Sequence, residues 1–262
     1  MYMDNHKNLK VNLFMIDNNI VFILLTCLIT LQSMAGVGIL VLGTPLLLLI
    51  DYNMIDIMGI LLPLSILTSL INFLYFKLKN KKMNIEIDSE IKKYLFLTCG
   101  PSIIIGLIIL KLFDQYINFN LFVSVIIISS IYLVIKLNKK ILNAKKNLKI
   151  FSLSLVGLIH GITNSGGTLL SLFVSGLQKN KINQSRYNIT FAYLFLAIFQ
   201  YISFLIIFET KYGLNELKLL FLVIPLGVIL GNLLVKFISE KLYKIIINIL
   251  AIISAFFLIL KI

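Results

Sequence analysis

A group of polar and glycine residues interrupts the apolar stretch between residues 150 and 177. Its members are His160, Thr163, Asn164, Ser165, Gly166 and Gly167. Hydroxyl and amide groups beside glycines can surround an oxyanion, because glycine leaves the neighbouring backbone amides accessible. His160 is the one histidine inside an apolar segment, and an ionisable residue at membrane depth indicates a functional role. This group therefore predicts either a cradle for a small anion or a site that binds a proton.

The same residues also have purely structural interpretations, which the sequence leaves open. A neutral histidine at a helix break can donate to a backbone carbonyl, and serine and threonine often join helices in membranes. An intramembrane serine hydrolase is disfavoured, because a serine nucleophile needs a base within hydrogen-bond reach. His160 and Ser165 are five residues apart on one segment, which is not a facing distance on a helix.

A second interruption lies in the apolar stretch between residues 20 and 50. It contains Gly36 and Gly38 and, further on, Thr44 followed by Pro45. Proline removes a helix hydrogen-bond donor and kinks the chain. A half-helix that begins at such a break presents unpaired amides and the positive end of its dipole, which suits an anion. These four residues are therefore predicted to bind substrate together with the first group, although close helix crossings also use glycine.

Further polar residues inside apolar segments are weaker candidates. They are Gln32, Ser33, Ser65, Thr68, Ser69, Asn72, Gln200 and Ser203. Spacings of three and four residues place Ser65, Ser69 and Asn72 on one helix face. Such stripes more often join helices than bind substrate. Arg186, at the start of a segment, is interpreted as an interfacial anchor that could also attract an anion.

The elements that position these residues are membrane helices. Hydrophobic residues make up 59% of the 262 residues and charged residues 13%, whereas a soluble domain has about 25% charged residues. This composition excludes soluble enzyme cores, disordered chains and nucleic-acid-binding domains. Eight apolar segments approach the roughly 20 residues that a transmembrane helix needs. They are 20–50, 54–76, 94–110, 119–135, 150–177, 187–208, 217–235 and 242–260.

The net charge of +13 indicates membrane topology rather than a nucleic-acid partner. Six basic residues lie in the connection 77–93 and six in the linker 136–150, which the positive-inside rule places in the cytoplasm. With a cytoplasmic N-terminus and eight crossings, 17 basic residues are cytoplasmic and 7 are external. If the segment 150–177 re-enters instead, the counts are 20 and 4. The second count fits the rule better, but both topologies stay open.

The two interruptions divide the chain into similar halves, because each interrupted segment is followed by three plainer ones. We predict an all-α polytopic membrane protein with two four-segment repeats, in which the first helix of each repeat is broken or re-entrant. The first repeat with its cytoplasmic linker is residues 1–140, and the second is residues 141–262. Irregular backbone at membrane depth must be buried in protein or line a water-filled cavity. Paired interruptions at matching positions indicate the binding site of a secondary transporter.

The run from Gly36 to Pro45 resembles the first-repeat motif of the sulfite exporter TauE/SafE family, a glycine-rich run followed by apolar residues and proline. The stretch from His160 to Gly167 is similar to that family's second copy. The stretch 186–190 resembles the basic start of its sixth segment. Two departures bear on the shape of the substrate cavity. Ile39 and Leu40 stand where glycines are usual, and Thr168 stands where proline often follows.

The resemblance implies a multi-pass transporter of the cell membrane, not an enzyme, that exports small sulfur-containing anions such as sulfite or sulfonates. The expected partners are a small anionic substrate and membrane lipid, with no nucleic acid. No cofactor or metal is predicted, because the chain has no nucleotide-binding loop and no cluster of metal ligands. An anion channel and a non-transporting membrane protein stay as alternatives, and the sequence does not indicate the oligomeric state.

Overall fold

The computed structural model describes residues 18–35, 38–79, 87, 89–137, 146–167, 169–170, 174, 182–209, 218–234, 237 and 240–261. Nine helices can be delimited in these residues, which contain no strand. They are α1 (Asn18–Ala35), α2 (Ile39–Leu49), α3 (Met54–Lys79), α4 (Ser89–Phe113), α5 (Phe119–Leu137), α6 (Lys146–Thr163), α7 (Ile182–Phe208), α8 (Lys218–Leu234) and α9 (Glu240–Leu260). Helix α4 includes one π-helical stretch, Leu95–Cys99.

The helices lie where the sequence predicts apolar segments. Helices α1 and α2 together occupy the predicted segment 20–50, and α6 begins the segment 150–177. In α3, α4 and α7 the apolar stretches are long enough to cross a membrane, namely Met54–Leu78, Ser89–Phe113 and Tyr187–Phe208. The other six helices contain shorter apolar stretches. The described residues therefore form helices and no strand, which is consistent with a polytopic membrane protein.

Helices α3 and α7 pack against each other in antiparallel orientation. Near the start of α3, the Met58 sulfur lies 3.9 Å from Nε2 of Gln200, which is near the end of α7. Near the end of α3, the ring of Phe73 stacks on that of Tyr187, near the start of α7, with centroids 4.9 Å apart. Because these two contacts lie near opposite ends of the helix pair, the position of other residues along the pair can be given relative to them.

Helices α1 and α2 form a hairpin beside α3. A Cβ atom at Gly43 of α2 would lie 3.2 Å from Leu28 of α1 and 2.9 Å from Leu61 of α3, so these residues share one level. One turn later on α1, Gln32 donates a hydrogen bond to Ser69 of α3 at 2.9 Å. Helix α1 therefore runs parallel to α3, and α2 returns to the side on which α3 begins.

Helices α4 and α6 approach closely because glycines line their contact. A Cβ atom at Gly157 of α6 would lie 3.0 Å from Cβ of Ser102, and one at Gly161 would lie 3.0 Å from Cα of Gly106. Small residues let backbones approach in this way in membranes. Since both positions advance together along the chain, α4 and α6 are parallel. Gly231 of α8 has the same role against α1.

Helix α4 also runs parallel to α7. The rings of Phe96 and Phe195 are 4.5 Å apart near the starts of the contact. At the other end, Nζ of Lys111 donates to the carbonyl of Ile207 at 2.6 Å. Helices α6 and α7, which both run parallel to α4, therefore share one direction.

Lys261, just after α9, is bound to the end of α2. Its Nζ donates to the carbonyls of Leu49 at 2.7 Å and Leu48 at 3.3 Å, and it pairs with Oδ1 of Asp51 at 2.6 Å. The last carbonyls of a helix have no partner within the helix. A cation at this end is also favoured by the helix dipole.

Candidate functional site

Both interruptions reach the same depth along the pair of helices α3 and α7. Halfway between the two contacts of that pair, Ser65 of α3 lies level with Tyr193 of α7. Ser65 accepts hydrogen bonds from Gln32, beside the first interruption, at 3.3 Å to its carbonyl and 3.4 Å to its hydroxyl. Gly167, the last residue of the second interruption, packs against the Tyr193 hydroxyl. The shared level lies near the middle of the long helices.

Gln32 holds the first interruption against α3. Its Oε1 accepts a hydrogen bond from the amide of Ile39, the first residue of α2, at 3.2 Å, and its Nε2 donates to Ser69. The side chain is fully buried. Next to it, Nδ2 of Asn72 donates to the hydroxyl of Ser33 at 3.3 Å. These polar residues of α1 and α3 therefore bind each other and fix the start of α2.

Three of the four residues predicted at the first interruption are described. Gly38 directly precedes α2, and a Cβ atom there would lie 3.0 Å from the amide nitrogen of Gln32. Thr44 and Pro45 are fully buried inside α2, which continues to Leu49, so proline does not end this helix. The Thr44 hydroxyl has no hydrogen-bond partner within the described residues. Gly36 lies outside the described residues.

His160 lies in the last turn of α6 and is fully buried. Neither ring nitrogen has a hydrogen-bond partner within the described part of the chain, although the backbone of Asn164 lies beside the ring. The His160 carbonyl accepts from the Asn164 amide at 2.8 Å and from Nε2 of Gln200 at 3.0 Å. His160 is therefore at the carbonyl end, which is the negative end, of the α6 dipole.

Thr163 and Ser165 close the end of α6 by local hydrogen bonds. The Thr163 hydroxyl donates to the carbonyl of Ile159 at 2.8 Å and accepts from the Ser165 amide at 3.2 Å. The Ser165 hydroxyl donates to the Thr163 carbonyl at 3.1 Å. Asn164 between them has φ of 59°, a left-handed conformation that asparagine tolerates at helix ends. Its side chain is fully buried and, among the described residues, has no partner at either oxygen or nitrogen.

Gly166 and Gly167 begin a new helical turn between His160 and Tyr193. The amide of Leu170 donates to the Gly166 carbonyl at 3.1 Å, the spacing of an α-helix. A Cβ atom at Gly166 would lie 2.8 Å from Cβ of His160, and one at Gly167 would overlap the Tyr193 hydroxyl. The first amides of a helical turn have no acceptor within it. This turn and the start of α2 are therefore two helix N-termini at a similar depth.

Unpartnered buried polar atoms concentrate around the two interruptions. Within the described residues they include Oγ1 of Thr44 and Thr68, Oδ1 of Asn72, both ring nitrogens of His160, both side-chain polar atoms of Asn164 and Oε1 of Gln200. Leaving a buried donor or acceptor unsatisfied costs about 1–3 kcal/mol. Such a cluster in a native protein calls for a polar ligand or bound water.

Several residues near the site were not singled out by their sequence pattern. Tyr193 and Asn188 of α7 are fully buried, and Met58 of α3 contacts Gln200. A tyrosine in an apolar run is read as core, although Tyr193 and Gln200 are seven residues apart and so lie on one helix face. Ser203 is half-buried. Arg186 is in α7, but its side chain lies outside the described residues.

The described part of the site offers neutral hydrogen-bond donors and one imidazole. No group of histidine, cysteine and carboxylate residues in the described part of the chain could hold a metal ion. Hydroxyl and amide side chains, together with the backbone amides of helix N-termini, can surround a small oxyanion without a metal. The arrangement is therefore suited to reversible binding of an anion.

Comparison with known proteins gives one match. The family model described as Sulfite exporter TauE/SafE matches residues 21–258, which is most of the chain and includes both interruptions. No curated protein and no solved structure matches.

Proposed function

The chain belongs to the sulfite exporter TauE/SafE family, a family of membrane transporters and not of enzymes, and from this premise we propose a mode of transport. The protein is a secondary transporter of the plasma membrane. It moves small sulfur-containing anions such as sulfite or sulfonates out of the cytoplasm. One anion binds between the two interruptions and is exposed alternately to the two sides of the membrane.

Helix pairing supports two inverted repeats. If α1 and α2 form the first segment, α1 packs on α8 and α4 packs on α6, so the first segment of each half contacts the third segment of the other. Helix α3 packs on α7, so the second segments of the two halves contact each other. Helix α5 packs on α9, so the fourth segments also contact each other. A two-fold axis between two copies of one fold generates this reciprocal pattern.

Helix directions support re-entrant first segments in both repeats. Helix α1 is parallel to α3, and α6 is parallel to α7, so each first segment returns to the side from which it starts. Since α3 and α7 are antiparallel, the two hairpins enter from opposite sides. Irregular backbone at the hairpin tips is then buried among long helices, as the membrane interior requires.

The distribution of basic residues orients this arrangement. The connections 77–93, 136–149, 179–186 and 236–244 lie on one side and carry 18 of the 24 basic residues. That side is cytoplasmic by the positive-inside rule. In this proposal the first hairpin enters from the outside, which differs from the cytoplasmic N-terminus expected from the sequence.

The observation that carries the proposal is the set of unpartnered, fully buried donors near both interruptions. Thr44, Thr68 and Asn164 each provide such a donor. The amides at the start of α2 and at the start of the Gly166 turn lie at a similar depth. An oxyanion accepts several hydrogen bonds at once, and donors in a low-dielectric site bind it strongly. The site is therefore complementary to a small oxyanion.

The test removes one hydroxyl that nothing in the described protein uses. Thr44→Val keeps the shape of the side chain, and its stability should be unchanged or higher because the lost hydroxyl has no partner. If Thr44 binds the anion, losing one hydrogen bond to a charged group of about 1.5–3 kcal/mol lowers kcat/KM for sulfite efflux roughly 10- to 150-fold. The measurement is efflux from proteoliposomes loaded with sulfite or methanesulfonate.

Ser130→Ala is the matched control, because the buried hydroxyl of Ser130 on α5 also has no partner among the described residues, and Ser130 is not one of the residues proposed to bind the anion. It should leave efflux unchanged. Equal rates for Thr44→Val and Ser130→Ala would remove Thr44 from the site. Saturable, counter-ion-dependent flux fits a carrier, whereas unitary currents would replace the transporter by an anion channel.

A further inference from the structure

His160 lies at the carbonyl end of α6, next to the proposed anion site. It is in the last turn of α6, and its Cβ is 2.8 Å from where a Cβ of Gly166 would be. An anion held by the amides at Gly166 is therefore next to the imidazole. The carbonyl end of α6 repels an anion and favours a cation. Neither ring nitrogen makes a well-aligned hydrogen bond within the described residues, and the backbone of Asn164 lies beside the ring, so at least one nitrogen is available to a ligand and a proton.

Among the described residues, the groups around His160 do not supply the missing positive charge. The titratable residues within two helical turns of its level, on the helices that surround α6, are Cys99 and Lys111 on α4, Tyr193 and Tyr201 on α7 and Asp56 on α3. Lys111 is exposed and donates to the carbonyl of Ile207, and Asp56 is bound to Asn53 at 2.7 Å at the start of α3. The cysteine and the tyrosines are neutral in their protonated forms.

Resting on the proposed function, we propose that His160 takes up one proton with each anion, so that a monovalent anion crosses the membrane as an electroneutral pair. A proton from water on the side of entry binds a free ring nitrogen, and the imidazolium N–H donates to the anion. On the other side the anion and the proton are both released, and the imidazole is neutral again. No other bond forms or breaks.

Charge balance gives the reason for this coupling. A buried imidazolium without a counter-ion is costly, and so is a buried anion without a cation. Each charge compensates the other in the same site, so the pair is bound when neither alone is favoured. One imidazole provides one positive charge. The substrate class is therefore a singly charged oxyanion, and a doubly charged one is excluded unless it brings its own proton.

Methanesulfonate is the probe, because it is a strong acid and carries no proton itself near neutral pH. In proteoliposomes, one proton should move with each methanesulfonate. At zero voltage, one unit of pH difference should give roughly tenfold accumulation, since one unit is a tenfold ratio of proton activity. A potential of about 60 mV, which would drive an uncompensated anion about tenfold, should have no effect.

A second measurement identifies the proton-binding group. The chain has two histidines, so His6→Gln leaves His160 as the single one. In this variant, with isotope-labelled histidine, infrared difference spectra should show imidazolium forming when methanesulfonate is added. His6→Gln should also transport like the wild type, because His6 lies in the N-terminal tail, before the first apolar segment.

Each outcome is decisive. Voltage-driven methanesulfonate flux without proton movement would overturn the coupling while leaving the transporter in place. Proton-coupled flux without an imidazolium signal would overturn the assignment to His160. A wild-type protein that moves neither sulfite nor methanesulfonate under any gradient would refute the proposed function itself.

Discussion

Replacing Gln32 by methionine should loosen the first interruption while keeping an unbranched side chain of similar length. Gln32 is fully buried and joins α1 to two other elements. Its Oε1 accepts from the Ile39 amide at 3.2 Å, and its Nε2 donates to Ser69 at 2.9 Å and to Ser65 at 3.4 Å. Methionine makes none of these hydrogen bonds, so the first residue of α2 loses its hydrogen bond to the Gln32 side chain of α1.

The size of the effect follows from those contacts. Hydrogen bonds between helices in membranes average about 0.6 kcal/mol, so the two serine contacts contribute roughly 1 kcal/mol. A buried amide left without an acceptor costs about 1–3 kcal/mol, which applies to Ile39. The expected loss of stability is therefore about 2–4 kcal/mol. For chains of this size that is a fall in Tm of roughly 5–15 °C.

The assay is thermal unfolding of the purified protein in detergent. It is followed by circular dichroism, because the chain has no tryptophan whose fluorescence could report unfolding. Thr26→Val is the control, since the Thr26 hydroxyl donates only within α1, to the carbonyl of Phe22 at 2.8 Å. It should change Tm by less than about 2 °C, as expected for a local bond below 1 kcal/mol. If the Tm of Gln32→Met lies within about 2 °C of the Tm of Thr26→Val, both substitutions cost less than about 1 kcal/mol. That result would refute the reasoning.

Three further predictions concern stability. Gly161→Ala should lower the free energy of unfolding by about 1–3 kcal/mol, because the new Cβ meets the backbone carbonyl of Ile103. Gly43→Ala should cost less, because its Cβ meets flexible leucine methyl groups. Equal melting temperatures of the two variants would contradict this prediction. Lys261→Met should lower the free energy of unfolding by about 1 kcal/mol. Salt should change this loss little, because Lys261 also caps the carbonyls of α2. A strong salt dependence would indicate that only the exposed ion pair with Asp51 contributes. Burial raises the pKa of Asp114 above its ordinary value, so ionisation of this carboxyl destabilises the folded state as pH rises. Asp114→Asn should therefore raise Tm at pH 8 but not at pH 3, and a constant difference across that range would contradict the assignment.

Helix positions could be predicted from the sequence because they depend on local hydrophobicity. The predicted segments 54–76 and 187–208 lie within α3 and α7, and the polar residues proposed to join helices, such as Ser69 and Asn72, do contact α1. Apolar length and a spacing of three or four residues are properties of a short stretch of chain. The family resemblance was confirmed for the same reason, since its motifs are also local.

The geometry of the candidate site could not be predicted, because it depends on contacts between distant residues. Nothing near His160 in the sequence says that its carbonyl accepts a hydrogen bond from Gln200, or that Gly167 packs against Tyr193. The level shared by Ser65 and Tyr193 follows only from how α3 and α7 cross. The assignment of all these residues to a substrate site stays a prediction.

The short helix α2 has a consequence for how the protein is made. Its 11 residues span roughly 16 Å, about half of the hydrocarbon thickness, so it cannot be inserted as a stable span by itself. The lysine that caps it, Lys261, is synthesised more than 200 residues later. At about 5–20 residues per second this is a delay of roughly 10–40 s. During that time the first hairpin needs the insertion machinery or a chaperone as a substitute partner, so assembly of the first segment is completed only by the last.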